Sequence, residues 1–123
     1  WRSLRAGAIA CRNGAPDEQL HDLRIRAKRC RYAAEAAAAA TGKRAAAFAR
    51  EVAALQEVLG ELHDAVVAEE WLRERSRAPR IHDTALFATG ELVALQRDAA
   101  EQSRGGWRVV WQRVEKQWTD AWK

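Results

Sequence analysis

The chain has 123 residues, 48% hydrophobic and 31% charged, enough for one ordinary domain that buries a core without a metal or a disulfide framework. Alanine supplies much of the apolar share, and the two prolines and seven glycines lie mostly between periodic segments, so helix is expected and sheet folds are disfavoured. The net charge of +4 points to an acidic partner without naming it. Cys11 and Cys30 are too few and too far apart for a disulfide scaffold or a closed zinc site, and are read as small apolar residues in a reducing compartment. No run approaches the roughly 20 apolar residues of a membrane span, and none resembles a signal peptide, so the expected address is the cytoplasm with no membrane partner. Trp1 is not a methionine and already lies inside an amphipathic pattern, which leads us to expect a piece of a longer protein.

In chain order, a first short helix is predicted over residues 1–12, with Leu4, Ala8 and Cys11 on one side and a stop at Asn13-Gly14. Pro16 suits the first position of a second helix, Asp17 and Glu18 complement its positive end, and the pattern runs to Thr41-Gly42. A third helix is predicted over residues 43–77, because Phe48, Val52, Leu55, Leu59, Leu62 and Val66 recur at spacings of three and four, and Ala78-Pro79 ends it. Asp83 is the expected N-cap of the last segment. Leu92, Leu95 and Ala99 mark its core side until Gly105-Gly106 interrupts, after which Trp107, Trp111, Val114 and Trp118 resume the pattern. The segment is one kinked helix or two. Short connections between long amphipathic helices favour antiparallel neighbours, so the expected fold is all-α, an antiparallel four-helix bundle forming one domain over residues 1–123.

The second helix carries the most information. At 100° per residue, Leu20, Leu23, Ala27, Cys30 and Ala34 form a seam facing the core. Beside it lie His21, Arg24, Lys28, Arg31 and Glu35, a mainly basic stripe about 15 Å long from His21 to Arg31. Only Glu35, four residues after Arg31, offers an acidic partner within the helix, so most of the positive charge lacks local compensation. Arginine's planar fork suits phosphate oxygens, lysine adds a mobile charge, and the length suits a linear polyanion. An anion beside His21 favours the imidazolium, so such binding should strengthen as the solution is acidified. Arg26 and Arg29 project to the other side and are expected to be solvated surface charges. Ile25 and Tyr32, beyond the stripe, form a second apolar strip that implies another packing partner.

Three blocks carry a family resemblance. They are His21-x-x-Arg24-x-x-x-Lys28-Arg29-x-Arg31-Tyr32, Leu55-Gln56-x-Val58-Leu59-Gly60-x-x-His63-Asp64-Ala65-Val66-Val67, and the tryptophan-rich terminus. In this order and spacing the chain resembles the C-terminal half of the CHAD family, the conserved-histidine α-helical domains. The resemblance implies two four-helix bundles related by an approximate two-fold, with a central basic cleft that binds inorganic polyphosphate. It implies that His21, Arg24, Lys28 and Arg31 face that cleft, supported by Lys43 and Arg44 at the start of the third helix, where free amides also favour an anion. Polyphosphate granules would then be the store such a module meets. With only half a domain in hand, the cleft would be closed by a homodimer partner or by a half-domain outside this sequence, and Ile25 and Tyr32 would form the seam. Ala54 stands where the family often has a basic residue, with Glu51 nearby, so the third helix is expected to contribute little to the ligand.

On the third helix, Leu55, Leu59, Leu62 and Val66 form the core seam, Gln56 and His63 flank it, and Gly60, Val67 and Trp71 follow. Gly60 inside a helix costs about 1 kcal/mol relative to alanine and is read as permitting close approach of a neighbouring backbone. Asp64 is expected to partner a basic side chain of the second helix. His21, His63 and His82 are scattered, no paired-cysteine or His-Glu-x-x-His motif occurs, and no metal or other cofactor is expected. The phosphate-loop, nucleophile-elbow and clustered-carboxylate motifs are missing too, so no catalysis is expected. Two alternatives to polyphosphate stay open: a nucleic acid as competing polyanion, drawn by the same charges, and a structural helical adaptor built on Ile25, Tyr32 and Trp71. Trp107, Trp111 and Trp118, at helical spacing, are expected to be core or interface residues rather than stacking platforms for bases.

Overall fold

The structure is a computed structural model and describes residues 1–122. It contains α1 (Arg2–Ala10), α2 (Asp17–Thr41), α3 (Lys43–Ser76) and α4 (Asp83–Trp122), with no strand among the described residues. The breaks fall where the backbone demands them. Gly14 and Gly42 both adopt φ near +85°, a left-handed value that glycine takes without a Cβ penalty. Gly42 ends α2, while Gly14 closes the turn after α1, which stops at Ala10 with Cys11 as its C-cap and not at the expected Asn13-Gly14. Pro16 precedes α2 as its N-cap instead of opening it, since its carbonyl already accepts the Leu20 N–H. His82 caps α4 one residue before the expected Asp83: its carbonyl accepts the Leu86 N–H, and its Nδ1 accepts the Thr84 N–H at 3.2 Å.

These helices pack as an antiparallel four-helix bundle, with α3 at its centre between α2 and α4 and the short α1 laid on α2. The seam predicted for α2 is buried throughout, from Leu20 to Ala34, and so are Leu4, Ala8 and Cys11 of α1. On α3 the buried row is Phe48, Val52, Leu55, Leu59 and Leu62. It then passes to Ala65, leaving Val66 partly buried against the edge. Burial pushes the thiols of Cys11 and Cys30 above the usual range, so both behave as small apolar groups. Aromatic rings close one end. Trp1 stacks on Trp118 at 4.7 Å and on Trp111 at 5.5 Å, and meets Phe48 edge-on at 5.8 Å, which ties the chain start to α3 and α4.

Of the alternatives for α4, one helix or two, the structure has one, and the expected core side of its first half fails. The helix passes through Gly105-Gly106 without a break, because Ser103, Trp107 and Val110 pack on both sides of the glycines and tertiary burial outweighs the weak propensity. A Cβ at Gly105 would meet nothing within 4 Å. Gly105→Ala is therefore expected to stabilise the fold by about 0.5–1 kcal/mol, read as a higher urea midpoint. Leu92, Leu95 and Ala99 are exposed, not core. The reason is length: α3 has 34 residues and α4 has 40, but α2 has only 25, so nothing from α2 covers the far end of the α3–α4 hairpin.

Ion pairs fix how the long helices align. Arg113 Nε donates to Glu51 at 3.0 Å, and Arg97 Nε donates to Glu69 at 2.9 Å, locking α4 antiparallel to α3. Hydrogen bonds from Arg73 and then Arg97 hold the Glu69 carboxyl below the usual range. What that pair adds to stability is present at neutral pH and is lost as pH falls through the lowered value. Arg104 grips Asp17 with two parallel bonds of 2.8 and 2.9 Å, joining the start of α2 to α4.

Candidate functional site

The stripe lies on the edge of α2 that meets α3. Two contacts define the register. The His21 and His63 rings sit 4.2 Å apart between centroids, tilted by 34°, and the Arg24 side chain lies over Gly60, where a Cβ would come within 3.3 Å of Nε. Three residues forward on α2 answer three residues back on α3, as antiparallel helices require, and the same register sets Gln56 level with Lys28. The structure thus joins His21 and Arg24 of the second helix to His63 and Gly60 of the third. Gly60 admits an arginine side chain, not a neighbouring backbone.

The surroundings of each candidate differ. Arg24 is half-buried and forms no ion pair among the described residues, and Lys28 is exposed and equally free of an acid. Arg31 has its predicted neighbour: its Nε lies 3.2 Å from Glu35 Oε1, although the N–H does not aim at that oxygen. Tyr32 offers its ring to both cations, with Arg31 Cζ 4.7 Å and Lys28 Nζ 5.9 Å from its centre. Lys43 and Arg44 are exposed at the start of α3, beyond the far end of α2. Twelve residues of helix rise and turn separate them from Arg31, so they are not gathered with the other four.

Four buried polar atoms lacking a hydrogen-bond partner belong to this face: His21 Nδ1, Arg24 Nε, Arg31 Nε and Gln56 Oε1. Three of the four belong to His21, Arg24 and Gln56 along the α2–α3 edge, and the fourth, on Arg31, stands 3.2 Å from Glu35. The fifth, Trp111 Nε1, lies in the core. Ile25 is half-buried and Tyr32 is 49% exposed, and Val67 and Trp71 continue the apolar edge along α3 past the start of α2. A cavity of about 150 Å³ opens elsewhere, between α1 and α2, and none of the stripe residues lines it. The candidate site is an open face, which can take an extended ligand along its length.

Other assignments change. Arg26 is no solvated charge: its Nη1 donates to the Ser3 carbonyl at 3.0 Å, and its stem packs on Gly7, so it pins α1 to α2. Arg29 is exposed, as expected. Asp64 is exposed and pairs with no basic side chain among the described residues. Glu51 is drawn to Arg113 on α4 and does not counter the stripe. No group of three or more His, Cys, Asp or Glu side chains among the described residues could hold a metal ion. No helix among them is long and apolar enough to cross a membrane. The roles of His63 and Gly60 carried a signal in the sequence: both lie on the α3 strip next to the core seam, matching the stripe's place on α2.

Comparison with known proteins places this face in a family. Two uncharacterized proteins from two strains of Mycobacterium tuberculosis are each 35% identical to the chain, over 94% of its length. The chain spans 23% of the length of these curated relatives. No solved structure matches it. The family model of the CHAD domain matches residues 1–73, which take in α1, α2 and nearly all of α3, and with them the whole stripe and its α3 partners. The chain belongs to the CHAD-domain family.

Proposed function

We propose that this chain is a non-catalytic binding module for a linear polyanion, with inorganic polyphosphate as its ligand. The observation that carries the reading is the α2 edge on which His21 and Arg24 lie against His63 and Gly60 of α3, with exposed Lys28 one turn further on and neither Arg24 nor Lys28 in an ion pair among the described residues. Cations in line, about 5 Å apart per helical turn, match a chain of phosphates better than a single anion. Arg31 extends the line at reduced strength because Glu35 shares its charge. Lys43 and Arg44 are a second, separate contact, reached only by a long ligand that runs on past the end of α2. Half-buried Ile25 and exposed Tyr32 leave an apolar margin beside the cations, which suits closure of the face by a second half-domain or a second copy.

A single-stranded nucleic acid is the competing ligand, and specific observations favour it: Tyr32 and Trp71 are exposed beside Arg31 and Arg75, the pairing of ring and cation on which bases stack. Only Tyr32, however, stands among the stripe cations, beside Lys28 and Arg31, while Trp71 lies past the His21 end, so no row of rings runs along the stripe. In a competition titration at fixed ionic strength, long polyphosphate is expected to displace RNA of equal charge from the chain. RNA binding as tight or tighter would replace polyphosphate with nucleic acid as the ligand.

A further inference from the structure

Gly60 is buried in mid-helix with no backbone requirement for glycine, as its φ is not left-handed. The other interior glycines of long helices, Gly90, Gly105 and Gly106, face open space, where a Cβ would meet nothing within 4 Å. At Gly60 a Cβ would stand 3.3 Å from Arg24 Nε and 3.9 Å from its Nη2. The bare backbone of α3 is thus occupied by one side chain, and that side chain is the unpaired arginine of the stripe, one turn from the His21–His63 contact.

We propose that Gly60 is a positioning residue: its missing side chain forms the flat seat that holds the Arg24 guanidinium against α3, in line with His21 and Lys28, before any anion arrives. This rests on the polyanion reading of the face. Arginine has large rotamer freedom, and a guanidinium already seated loses less of it when a phosphate binds. The burial of Nε without an acceptor fits such a seat, because the side chain is held by shape and not by a hydrogen bond. A methyl group at position 60 would lift the guanidinium by a few tenths of an ångström, and a larger side chain would expel it.

The test has a ligand-free arm and a binding arm. In the free protein, the Arg24 Nε–H resonance, assigned by its loss in Arg24→Lys, is expected to exchange slowly with water. It is expected to shift and exchange faster in Gly60→Ala, while the helix itself gains stability and Tm does not fall. With sodium polyphosphate of defined length, Gly60→Ala is expected to lose about three- to tenfold in affinity, the effect of leaving one long side chain unordered. The same change made in an Arg24→Ala background should cost almost nothing. A Gly60→Ala chain that does not fold would also contradict the proposal, since the atoms a Cβ meets belong to the flexible Arg24 side chain alone. An unchanged Arg24 resonance, or an equal affinity loss with and without Arg24, would overturn the proposal. If the unaltered chain binds no polyphosphate, the functional reading fails, and the resonance still decides whether Gly60 seats Arg24.

Discussion

Arg24→Ala is expected to weaken polyphosphate binding about tenfold or more at fixed ionic strength, the effect of losing one charge-assisted contact to a phosphate. Arg29→Ala removes the same formal charge from the same helix and is expected to cost less than about twofold, because a cation on the far side acts only through a screened field. Arg31→Ala should fall between them, since Glu35 already takes up part of its charge at 3.2 Å. Arg26→Ala is expected to leave affinity near that of the unaltered chain while lowering Tm, as Arg26 anchors α1 through the Ser3 carbonyl. Fluorescence anisotropy with labelled polyphosphate, alongside thermal melts, separates these outcomes. Equal affinity losses at Arg24 and Arg29 would mean that total charge, not placement, governs binding.

Trp107→Ala is expected to have the largest effect on stability, about 3–5 kcal/mol, because it removes a large ring from full burial and leaves a cavity that the surrounding helices cannot fill. Trp107 is 1% exposed, whereas Leu95, which the sequence pattern also assigns to the core side of α4, is 60% exposed. Leu95→Ala should therefore change stability by no more than about 0.5 kcal/mol. Domains of this size have about 5–15 kcal/mol in total, so the first substitution threatens the fold and the second does not. Urea unfolding gives both values, provided the dependence on denaturant stays the same in each variant. A comparable loss from the two substitutions would mean that the far half of α4 is covered.

The contrast between these residues shows what the sequence could and could not convey. Spacings of three and four identify a helix and its apolar side, and the bundle, the α2 seam and the tryptophan core follow from them. They carry no information on whether a partner reaches that side. Leu92, Leu95 and Ala99 keep the period of α4 but lie beyond the reach of α2, whose end at Gly42 and start at Pro16 set the extent of cover. Gly105-Gly106 reads as a break because local propensity is all the sequence displays there, yet packing on either side carries the helix through. At the site, the placement of His21, Arg24, Lys28 and Arg31 along one edge of α2 follows from helical angle alone. The split between Arg26 and Arg29 does not, because it depends on where α1 docks. The His21–His63 contact and the seat at Gly60 depend on interhelix register, which no single helix encodes.

The placement of cations on α2 is tested most directly by how polyphosphate affinity depends on salt, measured for the unaltered chain and for Arg24→Ala. Each phosphate neutralised contributes a slope of about −0.7 to −0.9 in the logarithm of affinity against the logarithm of salt concentration. We predict a steep slope for the unaltered chain, with magnitude near 2 to 3 for Arg24, Lys28 and Arg31 together, and a magnitude smaller by a little under one unit when Arg24 is removed. A slope that Arg24→Ala leaves unchanged, or no measurable binding at low salt, would contradict the assignment of this face to a polyanion.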